Sequence, residues 1–353
     1  MPPETLSHAE PAVAPFPENY FLDNFALRTD KSALINTVAS FPANYFLENL
    51  AVRADNSVLV TAMNQKELWY VPATARIGTV TPILLHTFEE LTWSFNEIEP
   101  DVFYLTTSNV YTNHESSLHR IDLRKWSPGE AIQPQKVLDF PKDASFLNGS
   151  CLIGPRTILV ADSVGLIWRV DLPKDGSTPS VRSWLHHESM AKYPGEMKPE
   201  QPGINGVRYA AKLGYLYYTA TAKKLFMRVK INPETLDAVG EPEHVSVGRM
   251  ADDFCIDESS GVAYLTTHRE NTIDCVSLDP ERNSHRFIVA GDPFNEELIG
   301  PSSAAWGRLP DEYGKVAFFT SDGGTASPLP DGVRRPAKLL RVELPEPPAA
   351  LRS

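Results

Sequence analysis

Glu48, Asn148, Asn205 and Asp252 are the residues of this 353-residue chain whose types and spacing suggest chemistry. They sit in the short motifs Leu47-Glu48-Asn49, Leu147-Asn148-Gly149, Ile204-Asn205-Gly206 and Ala251-Asp252-Asp253. Each motif precedes a β-rich run: Val58 to Thr61, Ile158 to Ala161, Leu216 to Thr219 and Ala263 to Thr266. Brought together, two carboxylates and two amide carbonyls would make a ring of oxygen donors. One charge each from Glu48 and Asp252 gives it a formal charge of −2. Such a set suits a hard cation, Ca²⁺ or Mg²⁺. It holds no thiolate and no imidazole pair, so it does not suit zinc. Asn-Gly is also the commonest tight-turn dipeptide, and either pair alone would read as a hairpin turn. Their shared phase with two acids is what argues for one site.

A fold must supply that convergence. Two further stations match the pattern: Ser94 before Val102 to Thr106, and Ser302 before Val316 to Thr320. From Glu48 through Ser94, Asn148, Asn205 and Asp252 to Ser302 the gaps are 46, 54, 57, 47 and 50 residues. Six stations at this period predict an all-β, six-bladed propeller with four antiparallel strands per blade. The third blade reads as strands over 146–153, 157–162, 165–172 and 181–185, the third alternating apolar and polar residues. The fifth reads as 252–257, 262–267, 272–278 and 286–290. Asp, Gly, Pro and Ser separate the runs, and no 3.6-residue period is sustained. The stretch from His186 to Pro202 is expected to form a short helix or a loop over the pocket. Inner strands line a propeller's channel, so residues in phase meet at one end of its axis.

A second repeat overlies the first. Residues 14–38 and 39–63 match in tandem, with 13 of 25 positions identical, and Asp23 is the counterpart of Glu48. Proper blade strands (67–71 and 82–88) follow the second copy, which is therefore assigned to blade one. The last blade shows three strands, 302–306, 315–321 and 337–342, and residues 33–38 are expected to supply its fourth, closing the ring. The organisation expected is an N-terminal extension over 1–31, a single propeller over 32–345 and a tail over 346–353.

Composition narrows the function classes. The net charge of −12, with both signs mixed along the chain, argues against nucleic acid. Cys151, Cys255 and Cys275 are too few and too far apart for a disulfide framework or a CxxC metal site, and read as small buried hydrophobes. The first 18 residues lack a signal peptide's basic start and apolar centre, and no run of 18 apolar residues exists, so a reduced cytoplasmic setting is expected.

In order and spacing, Glu48, Asn148, Asn205 and Asp252 resemble the metal-site signature of the SMP-30/gluconolactonase (TolB-like) superfamily of six-bladed propellers. The resemblance implies one Glu, two Asn and one Asp around a divalent cation, with Asp252 as general base toward a metal-polarised ester. The family usually carries glycine after both the Glu and the Asp, whereas here Asn49 and Asp253 stand there. The segments 46–53 and 252–254 are similar to a fungal secondary-metabolism branch that includes hetero-Diels-Alderases joining a tropolone quinone methide to humulene.

A cycloaddition requires an apolar cavity that holds diene and dienophile in register, and a hydrogen-bond donor to the heterodiene carbonyl. Trp93, Phe95, Phe146, Phe254 and Trp306 are candidate pocket walls, although each also reads as blade-to-blade core. His268, Asn109 and Lys223 are candidate donors, with Tyr218 and Ser303 behind them. Asp252, His268 and Asn205 form the expected catalytic group and Asn148 a substrate contact. No nucleophile elbow, Ser-His-Asp order or phosphate loop is visible. The expectation is a pericyclase acting on small polyketide- and terpene-derived substrates, with no cofactor required and Ca²⁺ or Mg²⁺ as an option on the axis. A metal-dependent lactonase and a non-catalytic ligand-binding propeller are the alternatives.

Overall fold

Short strands rich in β-branched and aromatic residues pair into six sheets, antiparallel within each four-stranded blade. The computed structural model describes residues 27–28, 33–74, 78–112, 115–192, 201–282 and 286–352. Blade one is Leu47–Val52, Val58–Ala62, Glu67–Val71 and Ile83–Thr87; blade two is Leu91–Glu99, Val102–Ser108, Ser116–Asp122 and Gln135–Asp139. Blade three is Leu147–Gly154, Thr157–Asp162, Leu166–Asp171 and Ser180–His186; blade four is Ile204–Ala210, Tyr215–Ala220, Leu225–Ile231 and Ala238–Val247. Blade five is Phe254–Asp257, Val262–Thr267, Thr272–Ser277 and Arg286–Gly291. Blade six follows its inner strand Pro301–Trp306 with Val316–Ser321 and Pro336–Glu343, and its outer position is taken by Leu34–Ala43, antiparallel to Pro336–Glu343. This last strand runs five residues past the segment read from the sequence, because its pairing continues to Ala43 opposite Pro336. Leu27–Arg28, inside the segment read as an extension, pairs in parallel with Phe287 and Ile288 on the outer edge of blade five. Asp23 and the rest of the first repeat before it lie outside the described residues.

The core lies between blades. Leu47, Val60, Phe318 and Leu339 pack blade six on blade one, and Tyr217, Phe226, Phe254 and Leu265 pack blade four on blade five. Burying side chains of this size stabilises by roughly 1.5–3 kcal/mol each. The three cysteines are free and buried, and burial, chiefly, pushes the Cys151 thiol up to about 12. No helix among the described residues is long and apolar enough to cross a membrane.

One irregularity recurs around the ring. At the station of blades one, two, three, four and six the inner strand carries one residue more than its partner: Leu47/Asn49 opposite Ala62/Thr61, Thr92/Phe95 opposite Thr107/Leu105, Leu147/Ser150 opposite Asp162/Val160, Ile204/Val207 opposite Ala220/Tyr218, and Pro301/Ala304 opposite Ser321/Phe319. Blade five does the same just before its strand: Asp252 N donates to Thr266 O (2.8 Å) and Thr266 N to Asp253 O (2.9 Å), so two residues oppose one. That is why the inner strand begins at Phe254 and not at Asp252, as read from the sequence. A bulge re-aims the side chains beside it, and here it occurs where the channel-facing polar residues stand.

Candidate functional site

Asn148-Gly149 and Asn205-Gly206 lie inside inner strands, so neither is a hairpin turn. Their glycines serve close approach. A Cβ on Gly149 would come within 2.6 Å of Asn205 O, and one on Gly206 within 2.7 Å of Asp253 Cα. Hydroxyls then stitch blades two to six each to the next blade's backbone: Ser94 Oγ donates to Asn148 O, Ser163 Oγ to Ile204 O (2.7 Å), Thr219 Oγ1 to Asp252 O, Thr266 Oγ1 to Ser302 O (3.0 Å), and Ser302 Oγ to Leu47 O.

This girdle holds Glu48, Asn148, Asn205 and Asp252 buried at one end of the axis. Asn148 Nδ2 donates to Ser163 Oγ (3.3 Å) and Asn205 Nδ2 to Thr221 Oγ1 (3.1 Å). Burial, then the charges of Asp253 and Asp322, push the Glu48 carboxyl up to about 8. Asp252 is raised well above the usual carboxylate range by burial and by Glu48, against the opposing pull of His268 and a hydrogen bond from Asn205. Burial and neighbouring negative charge therefore both favour the neutral form of each acid. Among the described residues no group of three or more His, Cys, Asp or Glu could hold a metal ion. The four-residue ring, counting its amide oxygens, nevertheless fits a hard divalent cation by donor type.

Beneath the ring the two residues that replace the expected glycines meet. Asn49 Nδ2 donates to Asp253 Oδ2 (3.4 Å), which also accepts from Ser303 Oγ (2.7 Å) and pairs with the Arg208 guanidinium. Arg208 Nη1 reaches Ser150 O (3.4 Å), and Asn96 Nδ2 donates to Ser150 Oγ (2.6 Å). Blades one to six thus contribute Asn49, Asn96, Ser150, Arg208, Asp253 and Ser303, one each, to a polar plug across the channel. Ser303, read as a weak substrate contact, belongs to this plug.

At the ring end, Phe46, Trp93 and Phe146 form an apolar wall with Met63, Leu91 and Val110; the Trp93 and Phe146 rings lie 5.4 Å apart. On the other side His268, buried at 7 % exposure, stacks on Phe46 (5.2 Å, 22°) and bonds through Nε2 to Asp322 Oδ2 (3.1 Å). Burial works to lower the imidazole's pKa, but the charge and hydrogen bond of Asp322, with Asp252 behind it, hold it raised. Asn109 and Lys223 stand in the loops after the second strands of blades two and four, at the same end as His268. Lys223 Nζ is engaged by Glu188 O on a short turn, Glu188–Met190, of the insertion between blades three and four; residues 193–200 of that insertion lie outside the described ones. Tyr218 is buried, with its hydroxyl against Ser189 Oγ (2.7 Å) of the same turn.

Three expected wall residues are placed elsewhere. Phe95 packs in the core between blades one and two, and Phe254 stacks edge-on against Phe226 (5.0 Å) between blades four and five. Trp306 ends its inner strand at the opposite end of the channel, where Nε1 donates to Ile256 O (2.7 Å). Each is apolar on the blade-facing side of its strand, so packing takes it. Asp322, Arg208, Asn96, Ser150 and Phe46 were not singled out from the sequence. Asp322 was detectable there: it follows Thr320-Ser321 as His268 follows Thr266-Thr267.

No family model and no curated protein matches the chain. Among solved structures it is similar to a luciferin-regenerating enzyme (TM-score 0.61, 11 % identity, covering 88 % of this chain and 95 % of that one). It is similar also to regucalcin, a calcium-binding protein from Agrobacterium tumefaciens C58 (0.56, 13 %, 89 % and 99 %), and to a protein assigned as a gluconolactonase (0.57, 12 %, 90 % and 94 %). At these identities the likeness establishes the propeller fold.

Proposed function

We propose that this chain is a small-molecule enzyme working at the ring end of its propeller, and that its reaction is a hetero-Diels–Alder cycloaddition between a carbonyl-bearing heterodiene and an alkene. What carries this reading is the buried Glu48, whose carboxyl is pushed up to about 8 by burial and by Asp253 and Asp322, two residues along the chain from Phe46 of the aromatic cluster with Trp93 and Phe146. A neutral carboxyl in a dry site donates a hydrogen bond to a substrate oxygen without the cost of a buried charge. The wall would align two apolar partners, and effective molarity from such alignment lowers a barrier by several kcal/mol, up to about 7–11 in well-oriented cases. The plug closes the channel below the ring, which keeps water from a reactive diene. The substrates this favours are small, apolar and carbonyl-bearing.

A second reading is favoured by the mutual elevation of Glu48 and Asp252, which a bound cation would relieve. Glu48, Asp252 and the amide oxygens of Asn148 and Asn205 would hold Ca²⁺ or Mg²⁺. The cation would supply Lewis-acid polarisation of a lactone carbonyl, and Asp252 would stand as the base. Similarity of fold to a calcium-binding regucalcin and a gluconolactonase-assigned protein is consistent with this reading.

Parallel assays separate the two. A tropolone quinone methide generated in the presence of humulene is followed for adduct formation, and gluconolactone for hydrolysis, each with and without excess EDTA. The first reading expects chelator-insensitive adduct formation that falls at least tenfold in Glu48→Ala. Lactone hydrolysis that EDTA abolishes, Ca²⁺ or Mg²⁺ restores and Asp252→Asn removes would replace it with the second.

A further inference from the structure

His268 and Asp322 form a constructed pair. Asp322 is fully buried at the end of blade six's second strand, and its two oxygens are fixed by backbone donors: Oδ1 accepts from Gly324 N (2.7 Å) and Oδ2 from Ala326 N (2.9 Å). His268 Nε2 completes the set at Oδ2. Gly300, at φ +62°, makes room for the contact; a Cβ there would collide with Asp322 Oδ1 and lie 3.2 Å from His268 Nε2. Phe46 covers one face of the imidazole, and the loop bearing Asp322 is tied beside it, since Thr325 Oγ1 bonds both Asp322 O (2.8 Å) and Tyr45 O (3.1 Å). Blades five, six and one therefore each supply one part of the mount.

We propose that Asp322 is the positioning residue for His268: it engages the Nε2 hydrogen and, with Phe46 fixing the ring plane, leaves Nδ1 as the ring atom presented to bound substrate. A nitrogen committed to a carboxylate sets both orientation and tautomer of an imidazole. With both nitrogens protonated, Nε2–H is held by Asp322 and Nδ1–H is offered to a carbonyl oxygen at the ring end. The charged groups facing the imidazole are Asp322 from blade six, Asp252 from the approach to blade five and Arg269 beside it in its own loop; the two acids favour the cation and Arg269 opposes it. This assignment rests on the reading of the ring end as a substrate site.

The test is ¹⁵N–¹H NMR of protein labelled at histidine, on wild type, Asp322→Asn and Phe46→Leu. Wild type should show a protected Nε2–H on His268. Asp322→Asn should lose that protection and lower the His268 pKa by at least one unit, while Phe46→Leu should keep the Nε2–H and broaden the ring signals. In the adduct assay, Asp322→Asn and His268→Gln should each lower kcat about tenfold or more with little change in KM, and the double variant should lose no more than His268→Gln. A wild-type His268 protonated on Nδ1 alone, or an Asp322→Asn spectrum with unchanged Nε2 protection and pKa, overturns the assignment. If Asp322→Asn does not fold, the wild-type spectrum decides. Failure of adduct formation in wild type would count against the cycloaddition reading and leave the NMR result to stand or fall alone.

Discussion

Asn49 Nδ2 lies 3.4 Å from Asp253 Oδ2, joining blade one to blade five across the propeller axis. These are the two positions at which the resemblance to lactonase-like propellers calls for glycine. Their side chains fill the channel together, and Arg208 offsets the carboxylate they introduce. The two departures meet in one contact, between blades that have only blade six between them.

Removing Asp253 should therefore cost more than removing Asn49. Asp253→Ala leaves the Arg208 guanidinium without its carboxylate in a mostly buried site, and a loss of about 3 kcal/mol is expected. Asn49→Ala removes a single long hydrogen bond and should cost about 1 kcal/mol. Urea denaturation of the two variants measures both, and equal losses would show that Asp253 is not the hub of the plug.

Gly206→Ala should be among the most damaging single methyl additions in the chain. The new Cβ would sit 2.7 Å from Asp253 Cα, backbone that cannot rotate away. Overpacking of this kind costs typically 1–3 kcal/mol, and it would spread blades four and five at the ring. Gly214→Ala is the control for added bulk, since nothing lies within 4 Å of its Cβ, although its φ of +71° brings a backbone cost of its own. Thermal unfolding should rank Gly206→Ala below Gly214→Ala.

The acid ring predicts a pH dependence of stability. Glu48 has its folded pKa raised to about 8 from 4.5, so the native state binds more protons than the unfolded chain between those values. Its contribution is fully present below pH 4.5 and is lost as pH rises through 8. Asp252 shifts in the same direction. Glu48→Gln should flatten this slope, leaving the part due to Asp252, and stabilise the protein at pH 8. Melting curves from pH 5 to 8.5 in EDTA test it; a variant as pH-sensitive as wild type would refute the raised pKa of Glu48.

Closure should depend on the N-terminal strand. Deleting residues 1–43 removes Leu34–Ala43 from blade six and exposes the edge of Pro336–Glu343. Unpaired edges template aggregation, so the truncated protein is expected to sediment as oligomers or to melt well below the full chain. Analytical ultracentrifugation and thermal denaturation report both outcomes, and a monomer of unchanged stability would rule the closure out.

The repeat period was legible because each blade must present one β-rich second strand at the same interval. The register of Thr157–Asp162 and Val262–Thr267 could be read to the residue, since both are bounded by turns and fully buried. The shared phase of Glu48, Asn148, Asn205 and Asp252, all of them buried, was legible as spacing alone. The apolar residues were harder. Phe95, Phe254 and Trp306 look identical in sequence to Trp93 and Phe146, because alternation says that a residue is buried without saying against which neighbour.

What the amino-acid sequence determined by itself was the six-fold period, the four-strand blade and the polar stations, all properties of local pattern. The plug was decided by tertiary structure. Its members stand at offsets of one (Asn49), two (Asn96), two (Ser150), three (Arg208), one (Asp253) and one (Ser303) from their stations, so no fixed spacing reveals them. The physical reason is the bulge in or just before each inner strand: one extra residue turns the side chains after it, and only closure of the ring brings Asn49, Arg208 and Asp253 together. Likewise His268 and Asp322 are 54 residues apart and become a pair because blades five and six are neighbours.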